Sequence, residues 1–288
     1  MTKDSIVSGT LVAFIRCRDG LVVCGDTKSY IETSDNYFDG MQKIYQLNET
    51  AGFATFGAVL IKRGKLTVFD AVEVLQSFNK EQPFSNTEMY WDRLNLRFQD
   101  KFGEYIDPIP HEFRPPTRNP STSCFFHIIF FFLENNNFKI TVYYFLYNKE
   151  RGLTYRQFHH NAEQRFGQLN HFLEGHQTVY EEIRTGNDAR FNDLRNSPVF
   201  RRFIFENLSE DETTVEDTLN FGEQLMVASN ERQKLLNDPS PIIIGREADV
   251  AIIRRSTGFG WLKQQDYSKH KRKTILQSIK FFFKWLFK

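Results

Sequence analysis

The stretch Gly9-Thr10-Leu11-Val12-Ala13-Phe14-Ile15-Arg16-Cys17-Arg18-Asp19-Gly20-Leu21-Val22-Val23-Cys24-Gly25-Asp26-Thr27 decides the fold. Two apolar, β-branched runs, 10–17 and 21–27, flank Arg18-Asp19-Gly20. Asp-Gly between such runs signals a hairpin, because a tight turn needs residues that tolerate unusual backbone angles. Both runs are apolar at consecutive positions rather than alternate ones, so both faces of this hairpin should be covered. Cys17 and Cys24 fall inside the runs and read as inert buried thiols. With Cys124 they are too few and too scattered for a disulfide framework.

Outward from the hairpin, Lys43 to Leu47 and Gly52 to Val59 read as strands around the turn Asn48-Glu49-Thr50. Leu66, Phe69, Val72, Val74 and Leu75 have helical spacing, which predicts an amphipathic helix over 66–78. Ser85 or Asn86 would cap a second helix reaching about Phe102. The five prolines between Asp107 and Pro120 predict an extended loop. Ser123 to Leu133, Lys139 to Tyr147 and Leu153 to Phe158 read as strands, the pattern stopping at His159-His160. Residues 161–207 read as one to three helices. Thr213, three before Glu216, has capping-box spacing and opens a helix that Asp238-Pro239-Ser240-Pro241 stops. Asp249 to Ile253 and Gly258 to Leu262 close as a hairpin. Strands, a helix pair, strands, helices and strands in that order predict an α+β fold with two sheets between helix layers.

The chemistry starts at Gly9-Thr10. A threonine hydroxyl is a weak nucleophile without a neighbouring base. If Thr10 becomes the first residue, its own α-amine can serve, since a free α-amine ordinarily titrates at about 7.7–8.0. That requires cleavage of the Gly9–Thr10 bond, and Gly9 leaves the backbone free for the strained geometry of self-cleavage.

Thr10-Leu11-Val12-Ala13-Phe14 and Gly20-Leu21-Val22-Val23-Cys24-Gly25-Asp26 resemble the opening of proteasome β-type subunits, which are N-terminal nucleophile hydrolases. The resemblance implies a four-layer αββα sandwich, two antiparallel-rich sheets between helix layers. Asp26 lies at the family's interval of sixteen residues after the threonine. Lys43 stands one residue beyond the family's interval, where Gln42 falls, and Gly57 follows Lys43 at the family's fourteen. One inserted residue, placed in the loop Asp35 to Gly40, reconciles the spacings. Ile244 to Ile253 and Gly258-Phe259-Gly260-Trp261-Leu262 resemble the family's closing strands, while 161–211 matches nothing in it.

By this resemblance Thr10 Oγ attacks the carbonyl and Lys43 supplies positive charge that lowers the hydroxyl pKa. Asp26 holds Lys43 protonated, and the Gly57 N–H stabilises the oxyanion. The family sets an Asp-x-x-Ser pair and a serine in a Gly-rich turn around the amine. Asp238 and Ser240, one residue closer together, are the candidates for the pair; no such serine turn follows Tyr147. The expected organisation is a propeptide over 1–9, the hydrolase domain over 10–262 with a divergent segment at 161–211, and a tail over 263–288. Self-association or ring assembly and a peptide or protein substrate are implied by the same resemblance. The alternative is a non-catalytic structural or interaction subunit of that fold.

Composition narrows the rest. The net charge of +1 argues against a nucleic-acid binder. No CxxC or HExxH occurs, so no metal and no cofactor is expected. His159, His160, His171 and His176 read as surface histidines. The first ten residues do not form a secretory signal, and the longest apolar run is about half a helical span, so a cytoplasmic location is expected. Phenylalanine is abundant, 30 of 288 residues. Seven lie between Phe125 and Phe145 and read as core. In the tail, Lys280, Lys284 and Lys288 recur every four residues among Phe282, Trp285 and other aromatics. That pattern suits an anionic membrane surface or a partner subunit.

Overall fold

The computed structural model describes residues 4–8, 11–31, 36–114, 124–150, 152–161, 169–175, 177–206, 208–236 and 247–266. In chain order the elements are β1 (Asp4–Ser8), β2 (Leu11–Cys17), β3 (Gly20–Asp26), β4 (Lys28–Ile31), β5 (Asn36–Asp39), β6 (Ile44–Asn48), β7 (Ala51–Gly57), β8 (Leu60–Arg63) and β9 (Leu66–Asp70). Helices α1 (Ala71–Glu81) and α2 (Glu88–Ile106) follow, then β10 (Cys124–Glu134), β11 (Asn137–Asn148), β12 (Gly152–Asn161) and β13 (His171–Gly175). Helices α3 (Thr178–Thr185), α4 (Asn192–Asn196), α5 (Pro198–Ile204) and α6 (Val215–Leu236) lead to β14 (Ala248–Arg254) and β15 (Gly258–Lys263).

The opening hairpin forms where expected, but its turn pair lies one residue earlier than Asp19-Gly20, and neither residue is at positive φ. Cys17 pairs with Gly20, so Arg18-Asp19 is the two-residue turn. A side chain at Gly20 would strike the Ile253 carbonyl at 2.1 Å, so the glycine is required by the close approach of β14. A second two-residue hairpin joins β10 and β11 through Asn135-Asn136, both at positive φ, a conformation asparagine tolerates well.

Two five-stranded antiparallel sheets face each other, ordered β12-β11-β10-β7-β6 and β13-β2-β3-β14-β15. Alternation along β2 shows how the layers are made. Val12 and Phe14 point to the opposing sheet, where they meet Phe56, Ile129 and Phe131. Leu11, Ala13 and Ile15 point the other way, against Phe221 and Leu225 of α6 and Ile183 of α3. On the far side of the other sheet, α1 and α2 bury Leu75, Trp91 and Phe98 against Phe126, Phe130 and Phe145. The α+β fold is therefore a four-layer αββα sandwich, and the phenylalanines of 125–145 fill its layers. Each fully buried ring contributes about 1.5–3 kcal/mol.

Several elements depart from the sequence reading. Leu66 to Asp70 is a strand, not the first turns of a helix. Leu66 and Phe69 fit either period, and Asp70 caps α1 by accepting from the Val72 and Glu73 amides. Thr87, rather than Ser85 or Asn86, caps α2. The strand expected to stop at Phe158 continues to Asn161, because His159 and His160 pair with Thr141 and Ile140. The segment expected to be helical contains a strand, β13, which pairs with β2. The capping box of α6 is Thr214 with Asp217, one residue later than expected, with reciprocal bonds of 3.0 and 3.1 Å. A third sheet, β5-β4-β1-β8-β9, was not expected at all. Its middle strand is β1, paired antiparallel with β4 and with β8. Among the described residues no helix is long and apolar enough to cross a membrane.

Candidate active site

Four strand ends meet at one corner: the start of β2, the end of β3, the start of β6 and the end of β7. Asp26 closes β3 and is fully buried. Its carboxylate accepts the Leu11 amide at 2.7 Å and the Lys28 amide at 3.0 Å, so it ties the residue after Thr10 to the end of its partner strand. Lys43 precedes β6 and is 2% exposed. Its carbonyl accepts the Thr55 amide at 3.1 Å, two residues before Gly57. The absence of a side chain at Gly25 lets β3 approach: a Cβ there would lie 3.1 Å from Ile44 and 3.4 Å from Lys43.

Lys43 Nζ donates to Ser29 Oγ at 2.7 Å. Burial pulls its pKa down from the ordinary value to about 8, and the charge of Asp26 acts in the opposite direction. The result is an amine still mostly charged at neutral pH but able to titrate just above it. Gly57 ends β7 at φ +80, and an added Cβ would lie 2.9 Å from the Phe125 carbonyl. Only glycine suits this backbone. Its carbonyl accepts the Val59 amide.

Asp26, Lys43 and Gly57 are thus placed on converging strand ends. Gly9, Thr10, Asp238, Ser240, Lys280, Phe282, Lys284, Trp285 and Lys288 lie outside the described residues, as does His176. Cys17 and Cys24 are buried, and burial pushes the Cys24 thiol up to about 12. Among the described residues no cluster of histidine, cysteine, aspartate or glutamate could hold a metal.

Two features escaped the sequence reading. Ser29 was unremarkable in sequence, and only the fold brings it to Lys43. His171 is buried, not a surface histidine. It shares a face of β13 with Leu173, and that period of two was the available signal. Burial lowers its pKa to about 4. Its ring nitrogens lie 2.8 Å from Tyr180 Oη and 3.2 Å from Asn170 Oδ1. Asn170 donates on to Thr213 Oγ1, which donates to the Ser209 carbonyl.

The layer order is the one that the N-terminal nucleophile resemblance implies. No protein-family model matches the chain, and no curated protein sequence does. Similar solved structures include a Gly-1 mutant of Anbu from Hyphomicrobium sp. strain MC1, 13% identical with a TM-score of 0.42. That likeness covers 97% of this chain and 100% of that one. Another is the helical assembly of the Anbu complex from Pseudomonas aeruginosa, 12% identical with a TM-score of 0.46, covering 96% of each chain.

Proposed function

We propose that the chain is a proteasome-like, threonine-type N-terminal nucleophile hydrolase of peptide or amide bonds. The observation that carries this reading is the bond from Leu11, the residue after Thr10, to Asp26 in the corner that buries Lys43. A buried lysine is costly and is retained where its charge is used. In the proposed reaction, cleavage of Gly9–Thr10 frees the Thr10 amine. Thr10 Oγ then attacks the substrate carbonyl carbon while its proton passes to that amine. The Lys43 charge stabilises the developing alkoxide, and the Gly57 N–H takes the oxyanion. Collapse expels the substrate amine, which takes the proton and leaves an ester on Thr10. Water hydrolyses the ester and restores the hydroxyl. Asp238 and Ser240 are the proposed partners of the amine.

The boundaries 1–9, 10–262 and 263–288 belong to this reading, as do a cytoplasmic location, self-association and tail contact with an anionic membrane or a partner subunit. No metal or cofactor enters the reaction.

One observation favours the second reading, a non-catalytic subunit. The segment that processing would sever contains β1, the middle strand of a sheet. The intact mass of the purified protein separates the two. Loss of nine residues, abolished in Thr10→Ala together with peptide hydrolysis, supports the hydrolase. A full-length chain inert towards a peptide library overturns it.

A further inference from the structure

Lys43 poses a mechanical problem. Its head group sits at the end of a four-carbon stem with several rotatable bonds, and a charge used in catalysis has to be held in place. Asp26 does not spend its oxygens on this task alone, because they accept the Leu11 and Lys28 amides. A hydroxyl on the neighbouring strand also holds the amine. Ser29, on β4, is fully buried, and its Oγ accepts from Lys43 Nζ at 2.7 Å. The hydroxyl has one proton, and that proton is directed at Met41 Sδ, 2.9 Å away. A thioether can only accept, so the serine's lone pairs are left facing the amine.

The surrounding backbone holds this geometry. The Gly40 and Met41 amides both donate to the Thr27 carbonyl, at 2.8 and 2.9 Å. That pins the residues just ahead of Lys43 to the link between β3 and β4. Ser29 itself is fixed by pairing with Phe38 of β5. Asp26, Ser29, Met41 and Lys43 therefore form one closed arrangement in which each member is placed by its neighbours.

We propose that Ser29 is the positioning residue for the Lys43 amine, holding Nζ beside Asp26 through an accepted hydrogen bond whose direction Met41 sets. The role in catalysis rests on the hydrolase reading above; the positioning of Lys43 does not. The Asp26 charge acts on Lys43 from β3, and the backbone amide of Lys28 on β4 is bound to the same carboxylate. An accepted hydrogen bond favours the charged amine over the neutral one. Removing it lowers the midpoint at which Lys43 loses its proton.

The test uses the full chain carrying Ser29→Ala, Ser29→Thr or Ser29→Cys. Lysine labelled with carbon-13 at Cε reports the Lys43 titration, assigned by the signal missing in Lys43→Met. Ser29→Ala is expected to lower the midpoint by about one pH unit, the equivalent of one charge-assisted bond. In the active enzyme the alkaline fall in kcat should move down with it. At neutral pH the smaller charged fraction should lower kcat by about twofold, and a looser amine should lower it further, with KM unchanged. Ser29→Thr, which keeps the hydroxyl, should restore both. Ser29→Cys, a weak acceptor of similar size, should lower the midpoint in the same direction and covers the case in which Ser29→Ala fails to fold. A folded Ser29→Ala or Ser29→Cys protein with the parent's Lys43 midpoint overturns the proposal. A shifted midpoint in a chain that hydrolyses nothing supports the positioning role and counts against the hydrolase reading.

Discussion

His171 and Lys43 are both buried titratable groups, and the chain treats them in opposite ways. Around His171 the hydrogen bonds run in one direction: Tyr180 to the ring, the ring to Asn170, Asn170 to Thr213, and Thr213 to the Ser209 carbonyl. Each group is neutral and each donor meets an acceptor. Burial then keeps the imidazole uncharged, and the network locks β13 to the start of α6. Around Lys43 a charge is kept in a place where water would have been the better host. Its partners reduce that cost without removing it. A matched neutral relay of this kind is a way to hold a structure together, whereas a retained charge at converging strand ends is, in the proposed hydrolase, the group that carries the chemistry.

The largest effect that would sharpen this contrast is on activity. Lys43→Met should lower kcat/KM by about a thousandfold or more, as removal of preorganised transition-state charge does, while circular dichroism stays native. A folded variant with near-parent activity would erase the distinction. In the parent, activity should also decline above about pH 8, where Lys43 gives up its proton, well below an ordinary lysine.

The next effect is on stability. His171 titrates near 4 when folded and about 6.5 when unfolded, so between those values the unfolded chain binds a proton that the folded chain refuses. Stability is intact above pH 6.5 and falls as the pH drops towards 4, by up to about 3 kcal/mol from this residue. Urea unfolding of the parent and of His171→Gln across that range should show a shallower acid loss in the variant. Equal slopes would mean that His171 is not held neutral. The smallest effect is one residue beyond that network, where Thr214→Ala removes the hydroxyl of the α6 capping box. It should cost about 1 kcal/mol at neutral pH, read from the urea midpoint, and less in acid, because the Thr214 hydroxyl helps hold the Asp217 carboxyl below its usual range.

What the sequence made legible follows from range. The opening hairpin was readable because its signal is local chemistry, an aspartate and a glycine between two apolar runs. The covered hairpin was readable from its uninterrupted apolar runs, and with it the idea of sheets packed between helices. Asp26, Lys43 and Gly57 were found by their intervals and not by any local property. Strands β1, β4, β5, β8 and β13 were missed because each is only four or five residues long, too short to show a period of its own. Their identity is set by the edge they complete, not by their own pattern. Ser29 and His171 share that fate: one hydroxyl and one imidazole acquire meaning only when the turn of the chain after β4 brings Lys43 back to one, and α3 folds Tyr180 over the other.

The middle position of β1 ties covalent integrity to concentration. While the chain is whole, its first strand meets β4 and β8 as an intramolecular partner, at the high effective molarity of a tether of a few residues. Severing Gly9–Thr10 would turn that same pairing into an ordinary bimolecular equilibrium. The two hairpins β4–β5 and β8–β9 would then each hold an unsatisfied edge whenever the short peptide was away, and dilution alone would expose them.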